Sequence, residues 1–187
     1  MIKPFVKGKV AVFIDAANIF YSQRTLGWRI DYGKLSRYFH DESVVTGMYY
    51  YTGMVGSIEK QQAFIQKIKS IGYKVTAKEV KFIHVAGSPD VPKGNLDVEL
   101  ALDAFRLRGD FDTLVLFSGD SDFAYLLDLL KQEGKRVVVV STRGHISREL
   151  LERAKYIDLP KLRQRIERVE RVENSKGRTS RPSRSDR

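Results

Sequence analysis

Short apolar runs recur along this chain, each broken off by an acid, a glycine or a stretch of helical period. Lys9-Val-Ala-Val-Phe-Ile14 is continuous and β-rich, which predicts a strand buried on both faces, and Asp15 ends it abruptly. A helix is expected over 17–26, then a second over 32–39 with Asp31 as its N-cap. Residues 44–52 are strand-like, rich in β-branched and aromatic types. Ile58, Phe64, Ile65, Ile68 and Ile71 approximate helical spacing over 57–71, and Gly72 suits a C-cap. Tyr73, Val75, Ala77, Val80 and Phe82 then alternate as one strand over 73–83.

The stretch 84–94, with two prolines and two glycines, reads as a loop. A helix is expected over 95–107, a fully buried strand over 113–117 and a helix over 121–133 that Gly134 ends. Another buried strand covers 136–140, a helix 147–154, and a short last strand 156–159. Beyond Pro160 a charged helix is expected over 161–173, with Leu162, Ile166 and Val169 on one face, and then a Ser/Arg/Gly/Pro-rich disordered end over 174–187. Strands alternating with helices imply a parallel three-layer α/β sheet. In such sheets ligands bind where the strands end, near the switch in strand order.

That rule directs attention to the residues after each strand, and two strands end in acid. Asp15 follows the first, with Asn18 close behind, and Phe117 is followed by Ser118-Gly119-Asp120-Ser121-Asp122-Phe123. Gly119 is expected to let the chain turn tightly there. Lys93-Gly94-Asn95-Leu96-Asp97 adds a third acid in the first turn of a helix. Each has a bland explanation. Asp15 could cap the next helix, Ser121 or Asp122 could cap the helix near Phe123, and Asp97 could complement the macrodipole. None explains why Asp15, Asp97, Asp120 and Asp122 gather at one expected edge. Crowded carboxylates raise one another's pKa and call for a cation. Without His or Cys at the cluster, that cation is a hard one, Mg²⁺ or Mn²⁺, suited to phosphodiester hydrolysis. His40, His84 and His145 show no ligand spacing, though His145 could line the same edge. Asp103 and Arg106 read as a surface pair.

Composition alters this picture little, whereas charge adds a partner. The chain has 187 residues, 42% hydrophobic and 30% charged, enough for one domain with an appendage. It has no cysteine, so neither disulfides nor thiolate metal sites are open to it, and no apolar run suits a signal peptide or a membrane span. A cytoplasmic location is expected. The net charge is +10, of which residues 161–187 supply +6 through ten Lys and Arg against four acids. A basic extension on a near-balanced domain points to a polyanion, nucleic acid being the commonest, unless it is a solvated tail.

The motifs Val10-Ala-Val-Phe-Ile-Asp-Ala-Ala-Asn18, Lys93-Gly-Asn-Leu-Asp-Val98 and Phe117-Ser-Gly-Asp-Ser-Asp-Phe123, in that order, resemble the NYN domain family, in its bacterial LabA-like branch. The resemblance covers about 8–160, leaving 161–187 as a basic tail. It implies a PIN-like, Rossmann-like three-layer α/β fold with a parallel sheet ordered 3-2-1-4-5. It also implies a metal-dependent ribonuclease that holds Mg²⁺ or Mn²⁺ on Asp15, Asp97, Asp120 and Asp122. Asn18, Ser118 and Ser121 fall at supporting positions of the motifs. Asp103 matches a frequent family acid and is expected no closer than behind the ligands, since its helical phase differs from that of Asp97 by about 120°. Lys93 would contact a phosphate, and Lys176, Arg178, Arg181 and Arg184 of the tail would hold RNA, single-stranded by preference. The family also admits non-catalytic regulators that bind RNA or protein. A phosphatase is disfavoured, because Ala16-Ala17 stand where its nucleophile motif would continue. Whether the chain is a homodimer is left open.

Overall fold

A computed structural model describes residues 2–54, 58–83, 91–93 and 95–169 of the chain. In chain order the elements are β1 (Lys9–Asp15), α1 (Ala16–Leu26), α2 (Tyr32–Glu42), β2 (Val44–Met54), α3 (Ile58–Ser70) and β3 (Lys74–Glu79). There follow β4 (Lys81–Ile83), β5 (Val91–Lys93), α4 (Asp97–Arg106), β6 (Thr113–Phe117), a 3-10 turn (Ser121–Phe123) running into α5 (Ala124–Gln132), and β7 (Arg136–Ser141). The chain closes with α6 (Arg148–Arg153), β8 (Lys155–Asp158), a 3-10 turn (Leu159–Leu162) and α7 (Arg163–Ile166).

Six strands form one parallel sheet in the order β3-β2-β1-β6-β7-β8. Counted within that sheet, this is the expected 3-2-1-4-5 with β8 added at the edge. The chain moves outward from β1 on one side, then returns to pair β6 on the other. The switch in strand order therefore lies between β1 and β6.

Period-two alternation sends the strand side chains to two separate cores. Val10, Val12 and Ile14 of β1, with Phe117, Val138 and Val140, pack against Ile19 of α1, Leu35 and Phe39 of α2 and Ile68 of α3. Ala11 and Phe13, with Leu114, Leu116, Val137 and Val139, pack against Leu100, Leu127, Leu130 and Leu150 of α4 to α6. Helices on both faces leave the central strands no solvated side, which is why β1, β6 and β7 read as unbroken apolar runs. Parity puts Asp15 on the same side as Phe13, the side of α4. Asp31 caps α2 as expected, its Oδ1 accepting from Lys34 N at 3.0 Å.

Three expectations need correction. The single strand over 73–83 is broken at Val80, whose N–H donates to Met54 O, the last residue of β2. Past that point residues 81–83 pair antiparallel with 91–93, in a stretch expected to be loop. The charged helix over 161–173 stops at Ile166, after which Glu167 bridges to Ile30 and Arg168 N donates to Arg29 O. Leu162 and Ile166, beyond the expected boundary at Pro160, are fully buried, whereas Val169, from the same expected apolar face, is exposed. The end over 174–187 lies outside the described residues. Among the described residues no helix is long and apolar enough to cross a membrane.

Candidate active site

The carboxyl end of β1 delivers Asp15 between two neighbours, opposite Tyr51 of β2 in register and beside Ser118, which follows β6. Both carboxylate oxygens of Asp15 are engaged. Oδ1 accepts from Ala17 N at 3.0 Å and Asn18 N at 3.2 Å, capping α1, and Oδ2 accepts from the Ser118 hydroxyl at 2.9 Å. The capping explanation is therefore true of Asp15, though it is not the whole of its surroundings. Asp15 is buried, and burial lifts its pKa above the ordinary aspartate range, helped by the charge of Asp120 and opposed by its three donors.

From Ser118 the hydrogen bonds run outward to the next acids. Ser118 Oγ accepts from Asp120 N at 3.2 Å, and Asp120 Oδ1 accepts from Asp122 N at 3.0 Å. Asp120, rather than Ser121 or Asp122, thus caps the turn leading into α5. Asn18 holds the same turn from α1, its Oδ1 accepting from Gly119 N at 3.0 Å. Gly119 has no positive φ, contrary to a turn that needs one. A Cβ there would instead lie 1.7 Å from the carbonyl oxygen of His145, so glycine is required by close approach of the loop after β7. Ser147 N donates to Gly119 O across that contact. His145 itself is bonded through Nε2 to Thr25 Oγ1 at 2.8 Å, at the far end of α1.

Asp97 enters from the other side, as the first residue of α4. One ligand oxygen from each of Asp97, Asp120 and Asp122 lies within 4.8 Å of the others. Asp15 is not among these three, its oxygens being taken by Ala17 N, Asn18 N and the Ser118 hydroxyl. Burial first, then the charges of Asp15, Asp120 and Asp122, push Asp97 up to about 6. Asn95 partly relieves this by donating from Nδ2 to Asp97 Oδ2 at 2.6 Å. None of the ion pairs formed among the described residues reaches these four acids. The donor set, all carboxylate, mutually repelling and partly desolvated, fits a divalent cation with oxygen preference.

A small cleft lined by Asp15, Ala17, Tyr51, Gly53, Asn95, Leu96, Asp97 and Leu100 opens beside the cluster. Asp103 stands apart from the three acids. It accepts from Arg106 Nη2 at 2.9 Å, the pair expected from spacing, and from the Tyr51 hydroxyl at 3.0 Å. Tyr51 thus joins it to the cleft wall. Ser121 is exposed. The side chain of Lys93 and all of Lys176, Arg178, Arg181, Arg184 and His84 lie outside what the structure describes. Sequence reasoning missed Asn95 and Tyr51. Asn95, two residues before Asp97, carried a local signal as a short amide able to reach the acid. Tyr51 carried none, because its place depends on β1 pairing with β2.

Comparison with known proteins places the chain among relatives over nearly its whole described length. Residues 9–162 match the NYN domain. Over 168 residues the chain is 37% identical to the low amplitude and bright protein LabA of Synechococcus elongatus, covering 87% of this chain and 90% of LabA. A shorter match, 32% over 71 residues, links 37% of this chain to 30% of an uncharacterized protein of Methanocaldococcus jannaschii. A crystal structure of a protein of unknown function from Vibrio parahaemolyticus has the same fold, with a TM-score of 0.69 and 26% identity over 82% of this chain and 93% of that one.

Proposed function

This chain belongs to the NYN domain family, and from that membership together with the clustered acids we propose that it is a metal-dependent ribonuclease. In this reading it hydrolyses RNA phosphodiester bonds with Mg²⁺ or Mn²⁺. The observation that carries the reading is the convergence of Asp97, Asp120 and Asp122, within 4.8 Å, at the switch point of the sheet.

Asp97, Asp120 and Asp122 would hold the ion, with Asp15 adding negative charge beside Asp97. When bound, such an ion supplies positive charge to a phosphate oxygen and acidifies attacking water. The remaining work falls to this chain's own side chains. Ser118 fixes the Asp120 backbone and orients Asp15 through one hydroxyl. Asn95 holds one oxygen of Asp97 by donating from Nδ2, which fixes the carboxylate's orientation. Asn18 ties the Gly119 turn to α1, so the acids on either side of the switch point keep their spacing. Fixed partners of this kind set the orientation of carboxylate ligands. Lys93 and the tail cations Lys176, Arg178, Arg181 and Arg184 would neutralise backbone phosphates of single-stranded RNA without taking part in chemistry.

The test is incubation of the full chain with labelled single-stranded RNA in Mg²⁺, in Mn²⁺ and in EDTA, beside the Asp120→Asn variant. Cleavage is expected with either ion, none in EDTA, and none detectable for Asp120→Asn, with the fold unchanged by circular dichroism. A wild-type protein that binds RNA but leaves it intact in both ions would instead support a non-catalytic regulator. Undiminished cleavage by Asp120→Asn would remove the acidic cluster from the chemistry.

A further inference from the structure

We propose that the outer face of α1 is a base-stacking platform, receiving an unpaired nucleotide that adjoins the phosphate held at the acidic cleft. This rests on the reading of that cleft as an RNA-hydrolysing centre and names how its substrate is gripped.

Helix α1 buries Ala16, Ile19 and Ser22 and turns Phe20 and Tyr21 outward, 54% and 57% exposed. Two large aromatics side by side on a solvated helix face do nothing for the core. Their rings meet edge to face, centroids 5.7 Å apart at 76°, and the Arg24 guanidinium lies 6.0 Å from the Phe20 centroid. The cluster is therefore aromatic and cationic together.

Its position is fixed relative to the acids. At the start of α1, Ala17 lines the cleft with Asp15 and Asp97. Tyr21 lies one turn farther, about 6 Å along the axis, and Arg24 about 10 Å from Ala17, all on the exposed side. The helix cannot roll away, because Asn18 is bonded to Gly119 at one end and Thr25 to His145 at the other, clamping it onto the loops after β6 and β7. A strand leaving the cleft along this face meets Ala17, then the two rings, then a guanidinium.

That sequence of groups matches one chemistry. Aromatic faces stack on any base, and a guanidinium answers the next phosphate or stacks itself. A duplex hides its base faces, so the occupant is single-stranded. The competing occupant, a second copy of the chain, would cover the same rings but has no need of a cation beside them.

The platform is tested by binding short labelled single-stranded RNA to the full chain in EDTA, where hydrolysis cannot contribute. The same oligonucleotide with abasic sites and a blunt duplex are run in parallel. Phe20→Ala/Tyr21→Ala is expected to weaken single-strand binding about tenfold or more, while leaving the abasic and duplex arms unchanged. Phe20→Tyr/Tyr21→Phe, which keeps both rings, is expected to bind as the wild type does. Equal affinities for the alanine variant and the wild type would overturn the platform. So would a wild-type dimer that the alanine variant dissociates, since the face would then belong to a second copy. Cleavage assayed separately keeps the two readings apart. Stacking without cleavage overturns only the ribonuclease, and cleavage without stacking overturns only the platform.

Discussion

At the amino edge of the sheet, Asp112 accepts from Lys9 N at 2.8 Å through Oδ2, and its carbonyl accepts from Arg136 N at 2.9 Å. Lys3, Lys9 and Glu42 share with it a hollow of about 410 Å³. At the carboxyl edge, Asp97, Asp120 and Asp122 converge beside a much smaller cleft that Asp15 and Asp97 line, and Asp97 is pushed up to about 6. The two edges differ in which helix ends they meet. In a parallel sheet a strand's carboxyl end commonly leads toward a helix N-terminus, as at β1, β6 and β7 here. Asp15 precedes α1, Asp97 opens α4, and Asp120 and Asp122 precede α5. The positive ends of those helices offset part of the repulsion among the acids, and the N–H groups of Ala17, Asn18 and Asp122 do so directly by donating to Asp15 and Asp120. The amino edge receives the C-terminus of α2, and there Asp112 and Glu42 line the hollow together with Lys3 and Lys9. Size of hollow is therefore a poor guide here, and acids without an ion pair among the described residues are the better one.

The largest expected contrast between the edges is in metal binding. Asp15→Asn keeps a capping oxygen for Ala17 and Asn18 but puts an amide against the Ser118 hydroxyl and removes the charge beside Asp97. Mn²⁺ affinity, measured by isothermal titration, is expected to fall about ten- to a hundredfold. Asp112→Asn at the amino edge is expected to leave it unchanged. An equal loss in both variants would break the distinction between the edges.

A smaller effect is expected from pH. Protons compete with a cation for Asp97, which titrates near 6 in the metal-free protein. Mn²⁺ affinity is expected to be level above that pH and to fall by roughly tenfold per unit below it. A profile flat down to pH 5 would mean that Asp97 holds no metal.

The smallest effect is on stability. The folded-state pKa of Asp97 is raised above its unfolded value of 3.8, so the native protein binds the extra proton between about 4 and 6. Stability of the metal-free protein accordingly declines as pH rises through that window, and the penalty is complete above it. Asp97→Asn removes the penalty. Because the carboxyl is half-exposed and screened, the gain at pH 7 is expected to be only about 1 kcal/mol, read as a higher urea midpoint in EDTA. It should vanish toward pH 4. A gain that persists at pH 4 would point to packing rather than to charge.

Much of the layout was legible in local pattern. The apolar runs at 9–14, 113–117 and 136–140 were readable as buried strands, and they are the central strands that helices cover on both faces. Asp31 announced its cap, and the Ser-Gly-Asp-Ser-Asp turn announced an acidic strand end. The break at Val80 was not legible, since alternation continued to Phe82 while β2 had already ended at Met54. Nor was the stop at Ile166, because the charged stretch kept helical spacing while its backbone found a partner in Ile30.

What the chain determined by itself is whatever depends on neighbours in sequence: where strands and helices fall, which residues cap them, and that acids follow two strands and open one helix. Tertiary structure decided everything that depends on which strand pairs with which. Pairing of β1 with both β2 and β6 created the switch point, set Tyr51 opposite Asp15 and brought Asp97 of α4 within reach of Asp120 and Asp122. It also left Asp15 outside that group of three, its two oxygens taken by the N–H groups of Ala17 and Asn18 and by the hydroxyl of Ser118. Gly119 shows the same division. Its place in the turn was readable, but its reason, a carbonyl of the loop after β7 lying where a Cβ would stand, exists only once the sheet has assembled.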